Sequence, residues 1–151
     1  MGDLAAGYLR GFRSYPDNEK GRWGFAFVPK RSKQVGMFAG FLSASSSRRG
    51  GPVLEPPECA VYVFVRPATS ALHRKLVGGK QNLLRATYQR IVKYTARKPR
   101  WEFFERSEVV LARHVPLAAF PPDEQEKYAR NFFIETLSLL VRSGLPAALQ
   151  R

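Results

Sequence analysis

The sequence predicts a mainly α protein: a small C-terminal three-helix bundle preceded by an extended basic arm with one or two short β-strands. Three observations predict it. Apolar residues recur at helical spacing in three stretches beyond Gly79, each bounded by proline or glycine. Residues 43–57 have the serine, glycine and proline content of a linker. Between Arg66 and Arg100 stand ten Lys or Arg and no Asp or Glu, so this segment supplies 10 of the 13 units of formal net charge.

A chain of 151 residues suits one folded unit with an arm, divided here as 1–58 for the basic, aromatic arm and linker and 59–151 for a helical domain with a leading strand. Its hydrophobic content of 44% is too high for a wholly disordered basic protein. Cys59 stands alone, which excludes an internal disulfide and a cysteine zinc cluster. No apolar run reaches the roughly 18 residues that span a bilayer. The N-terminus lacks the apolar core and small-residue cleavage site of a secretory signal.

In chain order, Met1 to Arg13 can form a short helix with Leu4, Tyr8, Leu9 and Phe12 on one side. Tyr15-Pro16-Asp17-Asn18 reads as a turn, because proline fixes one dihedral and Asp or Asn can bond its own backbone. Trp23 to Val28 alternates large and small residues as a strand does. Ala60 to Val65 is β-branched and aromatic and apolar on both faces, so its strand must be covered on both sides. Lys80 to about Arg97 is an amphipathic helix with Leu83, Leu84, Thr87, Tyr88, Ile91, Val92 and Thr95 on one side and Arg85, Arg90, Lys93 and Arg97 on the other. A second helix is expected from about Arg100 to His114, with Glu102 and Glu105 near its start and Arg113 and His114 near its end, as a helix dipole favours. The third opens at Pro121-Pro122-Asp123-Glu124, has Tyr128, Phe132, Phe133, Leu137, Leu140 and Val141 as its core face, and stops at Gly144. Short loops between three such helices give a bundle.

Catalysis finds little support. His73 and His114 are the only histidines, and nothing around them resembles a nucleophile elbow. Glu102, Glu105 and Glu108 repeat every third residue, a pattern that more often pairs with arginine than holds a cation. Neither metal nor cofactor is expected, and the protein is not read as an enzyme.

The basic surface is the informative feature, since a merely solvated face usually mixes signs. Candidate contacts to nucleic acid or to an acidic partner are Arg85, Arg90, Lys93, Arg97, Lys98 and Arg100, with Arg74 and Lys75 before the helix and Lys30, Arg31, Arg48 and Arg49 in the arm. Trp23 and Tyr88 are candidate stacking rings. The four expected to matter most are Arg85, Arg90, Lys93 and Arg97.

Leu83 to Leu149, with Leu84-Arg85 followed by Thr87-Tyr88-Gln89-Arg90, resembles the LYR family of small mitochondrial proteins, although the Leu-Tyr-Arg tripeptide itself is absent. That resemblance implies docking of the acidic acyl carrier protein through Arg85, Tyr88 and Arg90. Pro121 to Tyr128 and then Asn131-Phe132-Phe133-Ile134-Glu135 is similar to part of the small matrix-side subunit of ubiquinol-cytochrome c reductase. Both resemblances imply a mitochondrial location, in the matrix or on the matrix face of the inner membrane. The functional expectation is therefore a non-catalytic structural subunit of a large mitochondrial assembly, first a ribosomal protein that contacts rRNA. A matrix-side accessory subunit of a respiratory-chain complex, docked to protein or acyl carrier protein, is the alternative. An independent nucleic-acid-binding module, or a viral one, is the third.

Overall fold

A computed structural model describes residues 9, 11–19, 21–43, 57–78, 82–95 and 98–150. Six strands run in chain order: β1 Phe12–Asp17, β2 Arg22–Pro29, β3 Val35–Leu42, β4 Glu58–Val65, β5 Glu102–Phe103 and β6 Val109–Pro116. They form one sheet in the order β1-β2-β3-β4-β6-β5, and every neighbouring pair is antiparallel. Helices α1 Ala71–Val77 and α2 Leu83–Tyr94 lie between β4 and β5, while α3 Gln125–Arg142 and α4 Leu145–Leu149 follow β6.

The mainly α expectation is thus overturned: the organising element is a six-stranded sheet, and α3 is its one long helix. The arm expected over residues 1–58 contributes β1, β2 and β3 to the same sheet as β4. The helix expected over Arg100 to His114 is a hairpin of β5 and β6, turning at Glu105–Glu108. Val109-Val110-Leu111 favours the pleated surface, and pairing with β4 along its whole length outweighs the helix-like placement of charge. The strand expected at Ala60–Val65 lies within β4, and the first and third expected helices correspond to α2 and α3. Of the helix expected at Met1–Arg13, residues 1–8 and 10 lie outside the described residues, as do 44–56 of the expected linker.

Alternation along the strands divides the interior into two layers. Val35, Met37 and Ala39 of β3, Cys59, Val61, Val63 and Val65 of β4, and Leu111 and Val115 of β6 face the helices, where they meet Val77, Leu84, Ile91, Phe132, Phe133, Leu137, Leu140 and Leu145. An irregularity opposite Val63 and Phe64 gives β6 an extra residue, which lets Val110 and Leu111 both reach this layer. The other face carries a second cluster of Val28, Phe38, Tyr62, Phe64 and Ala112, all strand residues. Every described helix buries its apolar side in the first cluster and none joins the second.

Two glycines make that second cluster possible. Gly36 and Gly40 flank Phe38 on the same side of β3. A Cβ at Gly36 would stand 2.8 Å from the Phe64 ring, and one at Gly40 would stand 2.8 Å from the Phe38 ring. The missing side chains are the space the rings occupy, and Phe38 stacks on Tyr62 at 4.9 Å between centroids.

Cys59 sits in the helix-facing layer with no exposed surface. Burial, with a smaller contribution from the Glu58 charge, pushes its thiol up to about 12. A raised pKa means the folded state disfavours the thiolate. This contribution to stability is complete below the ordinary value of 9.0 and is lost as pH climbs toward about 12. Two results are expected: a thiol reagent labels Cys59 only under denaturing conditions, and the urea midpoint of the native chain falls more steeply above pH 9 than that of Cys59→Ala. Fast labelling of the folded protein would refute the assignment.

Candidate nucleic-acid interface

Antiparallel register brings three connections to one end of the sheet: the β2–β3 turn at residues 30–34, the link from β4 into α1 at 66–70, and the β5–β6 turn at 104–108. They are joined by hydrogen bonds. The Arg66 amide donates to the Gln34 carbonyl at 2.6 Å, the Val65 amide to the Glu108 carbonyl at 2.8 Å, and His73 Nε2 to the Ser107 carbonyl at 2.9 Å. Because a carbonyl only accepts, His73 must carry its proton on Nε2 in that bond.

These connections bring Lys30, Arg31, Lys33, Arg66 and Arg106 together against two acids. Glu105 binds Arg85 at 3.0 Å and Glu108 lies 3.9 Å from Arg66, so both acids already face a cation. Lys30, Arg31, Lys33 and Arg106 are exposed and make no ion pair among the described residues. At the opposite end Asp17 and Glu19 are both bound by Arg22, and Asp123 and Glu124 follow in the segment that leaves β6.

At the basic end the helix-free face opens into a recess of about 270 Å³ lined by Tyr15, Ala26, Val28, Lys33, Phe64 and Arg66. The Arg66 guanidinium lies 4.4 Å from the centroid of the Phe64 ring, and Tyr15 is 38% exposed. A larger cavity of about 430 Å³ adjoins it along the same face and shares Arg66. Tyr62, on its floor, has its hydroxyl pKa raised by burial, while the charges of Arg22 and Arg66 pull the other way. This combination offers cations for phosphate at the turns and rings for planar groups on the sheet.

The predicted contacts scatter across this framework. Arg85 is committed to the β5–β6 hairpin: besides Glu105 it covers the Phe103 ring at 5.0 Å. Arg90 donates to the Ser143 carbonyl at 3.0 Å and ties α2 to the end of α3. Tyr88 packs on Phe103 at 5.5 Å, which makes it a joint between α2 and the hairpin more than a free stacking ring. Lys93, Lys98 and Arg100 are exposed on the helical side of the molecule, and Lys75 is exposed on α1. Arg74, also exposed, donates to the Thr69 carbonyl at 2.8 Å. Trp23 is 48% exposed at one end of the helix-facing layer. Arg48, Arg49 and Arg97 lie outside the described residues. Lys30 and Arg31 join the basic end, together with Lys33, Arg66 and Arg106, which sequence reasoning left out of its contact set. Only the strand register places these residues side by side.

His114, expected at a helix end, is a strand residue on the helix-free face, held by Glu102 at 2.7 Å. Glu102, Glu105 and Glu108, expected along one helix, are divided between β5 and the turn that follows it. Among the described residues no group of three or more His, Cys, Asp or Glu is placed to hold a metal ion, and no described helix is long and apolar enough to cross a membrane. Neither a family model, nor a curated protein, nor a solved structure matches this chain.

Proposed function

We propose that the protein is an RNA-binding subunit of a ribonucleoprotein assembly, acting by binding and not by catalysis. The observation that carries this reading is the basic end of the sheet, where Lys30, Arg31, Lys33 and Arg106 make no ion pair among the described residues and Lys33 lines the aromatic recess of Tyr15 and Phe64. Phosphates would take the charge, and unstacked bases would lie on the sheet face. The two sequence resemblances are what support a mitochondrial setting for it.

Counterion release supplies the test. Affinity for a single-stranded RNA should fall steeply as salt rises. The triple variant Lys30→Ala, Arg31→Ala, Lys33→Ala should reduce the slope of log affinity against log salt by about 2, since each phosphate contact on a single strand contributes about 0.7. Fluorescence anisotropy across a salt series measures both. A flat salt dependence, or an unchanged slope in the triple variant, would sink the reading. Retention of a native particle after nuclease treatment would instead favour an acidic protein on the same surface.

A further inference from the structure

The larger cavity on the helix-free face contains an arrangement that a general anion-binding surface does not need. Its lining includes Arg22, Glu58, Tyr62, Arg66, Phe104 and His114. Phe104 is 40% exposed at its edge. Two small residues bound Tyr62 on the floor, because Ala112 pairs with Tyr62 and Ala60 with His114 across β4 and β6. The cavity lies beside an exposed ring and is lined by Arg22, which binds Asp17 and Glu19, and by Arg66, which stands 3.9 Å from Glu108, another lining residue.

The Glu58 end of the cavity holds a carboxylate with unused lone pairs. His114 Nε2 donates to Glu102 Oε1 at 2.7 Å. Nδ1 of the same ring lies 3.4 Å from Glu58 Oε2, but it is buried and makes no hydrogen bond. The Glu58 side chain is only 23% exposed. Its carboxylate accepts no hydrogen bond among the described residues, in a partly desolvated place where an unmet acceptor is costly.

We propose that this cavity is a guanine subsite, a proposal that deepens the RNA reading and rests on it. Guanine is the common base that presents two adjacent donors, N1–H and the 2-amino group, on one edge, and a single carboxylate accepts both. Adenine and cytosine present one donor beside an acceptor, and uracil flanks its one donor with two acceptors. Those edges would set lone pairs against Glu58. Phe104 stacks on the base, Glu58 reads its edge, and Arg66 meets the phosphate on the side of the basic end. The cavity volume of about 430 Å³ accommodates a nucleotide of that size.

Calorimetry on the full chain with GMP, IMP, AMP, CMP and UMP tests this. GMP should bind about tenfold or more tightly than IMP, which lacks only the 2-amino group, and more tightly than the other three. Glu58→Gln should erase the preference of GMP over IMP. Phe104→Leu, at an exposed position that does not threaten folding, should weaken GMP several-fold and serves if Glu58→Gln fails to fold. Equal binding of GMP and IMP, no GMP binding, or an undiminished preference in Glu58→Gln would overturn the proposal. Binding of RNA with no preference for guanine would overturn the subsite and leave the RNA reading standing. Tight GMP binding by a chain that ignores RNA would do the reverse.

Discussion

Replacing Arg113 with alanine is expected to lower stability by about 3–5 kcal/mol, among the largest effects available to a single substitution here. The side chain is 1% exposed, on the helix-facing side of β6. Its guanidinium donates to Thr136 Oγ1 at 2.6 Å and to the Pro99 carbonyl at 2.9 Å, and it stands 3.6 Å from Glu135. It also lies 5.3 Å from the centroid of Phe132. One residue therefore links the sheet to α3 and to the segment that precedes β5. Alanine leaves a void and strips Thr136 and Pro99 of their donor in a dry interior. Arg113→Met restores much of the volume without the donor, so it should fall between alanine and the native chain. Urea unfolding with an unchanged m-value measures both. A loss of less than roughly 1 kcal/mol for the alanine variant would show that the guanidinium only breaks even against its own desolvation.

Phe38→Ala is the second, with an expected loss of about 3–5 kcal/mol. Phe38 is fully buried although no described helix lies over it. Its ring stacks on Tyr62, and Gly40 beside it has no side chain with which to fill a hole. Backbone hydrogen bonds to β2 and β4 hold β3 on both sides, so the strand cannot collapse into the void. The cost should therefore sit toward the upper part of that range. Phe104→Ala, on the same face but exposed, should change stability by roughly 0.5 kcal/mol or less. Urea midpoints for the two variants test the contrast. Equal losses would mean that the face is not a second packed layer.

Segments whose periodicity agreed with their final structure could be read from sequence. β4 is apolar on both faces because both of its faces are buried, and α3 buries Phe132, Phe133, Leu137 and Leu140 of its expected core side while Tyr128 and Val141 at its ends are exposed. β3 was hidden by Gly36 and Gly40, which resemble breakers locally and are needed only because rings from β3 and β4 lie over them. The β5–β6 hairpin was masked by acids ahead of bases, an order that suits a helix. Arg113 made it worse, since a buried arginine looks like a helix-closing cation until Thr136 arrives from another element. For the candidate site, residue types were legible and positions were not. Arg85 and Arg90 look alike in sequence to free cations, yet they hold the hairpin and α3 in place. Lys33 and Arg66 are 33 positions apart and become neighbours only through the pairing of β3 with β4.

The exposed cations at one end of the sheet have a kinetic consequence for the proposed binding. A net charge of +13 draws the molecule toward any polyanion whichever way it faces. On the proposed reading, Lys30, Arg31 and Lys33 would hold an approaching phosphate close to the aromatic recess. Salt, which shortens the reach of that attraction to about 8 Å at physiological strength, should then slow association before it hastens release.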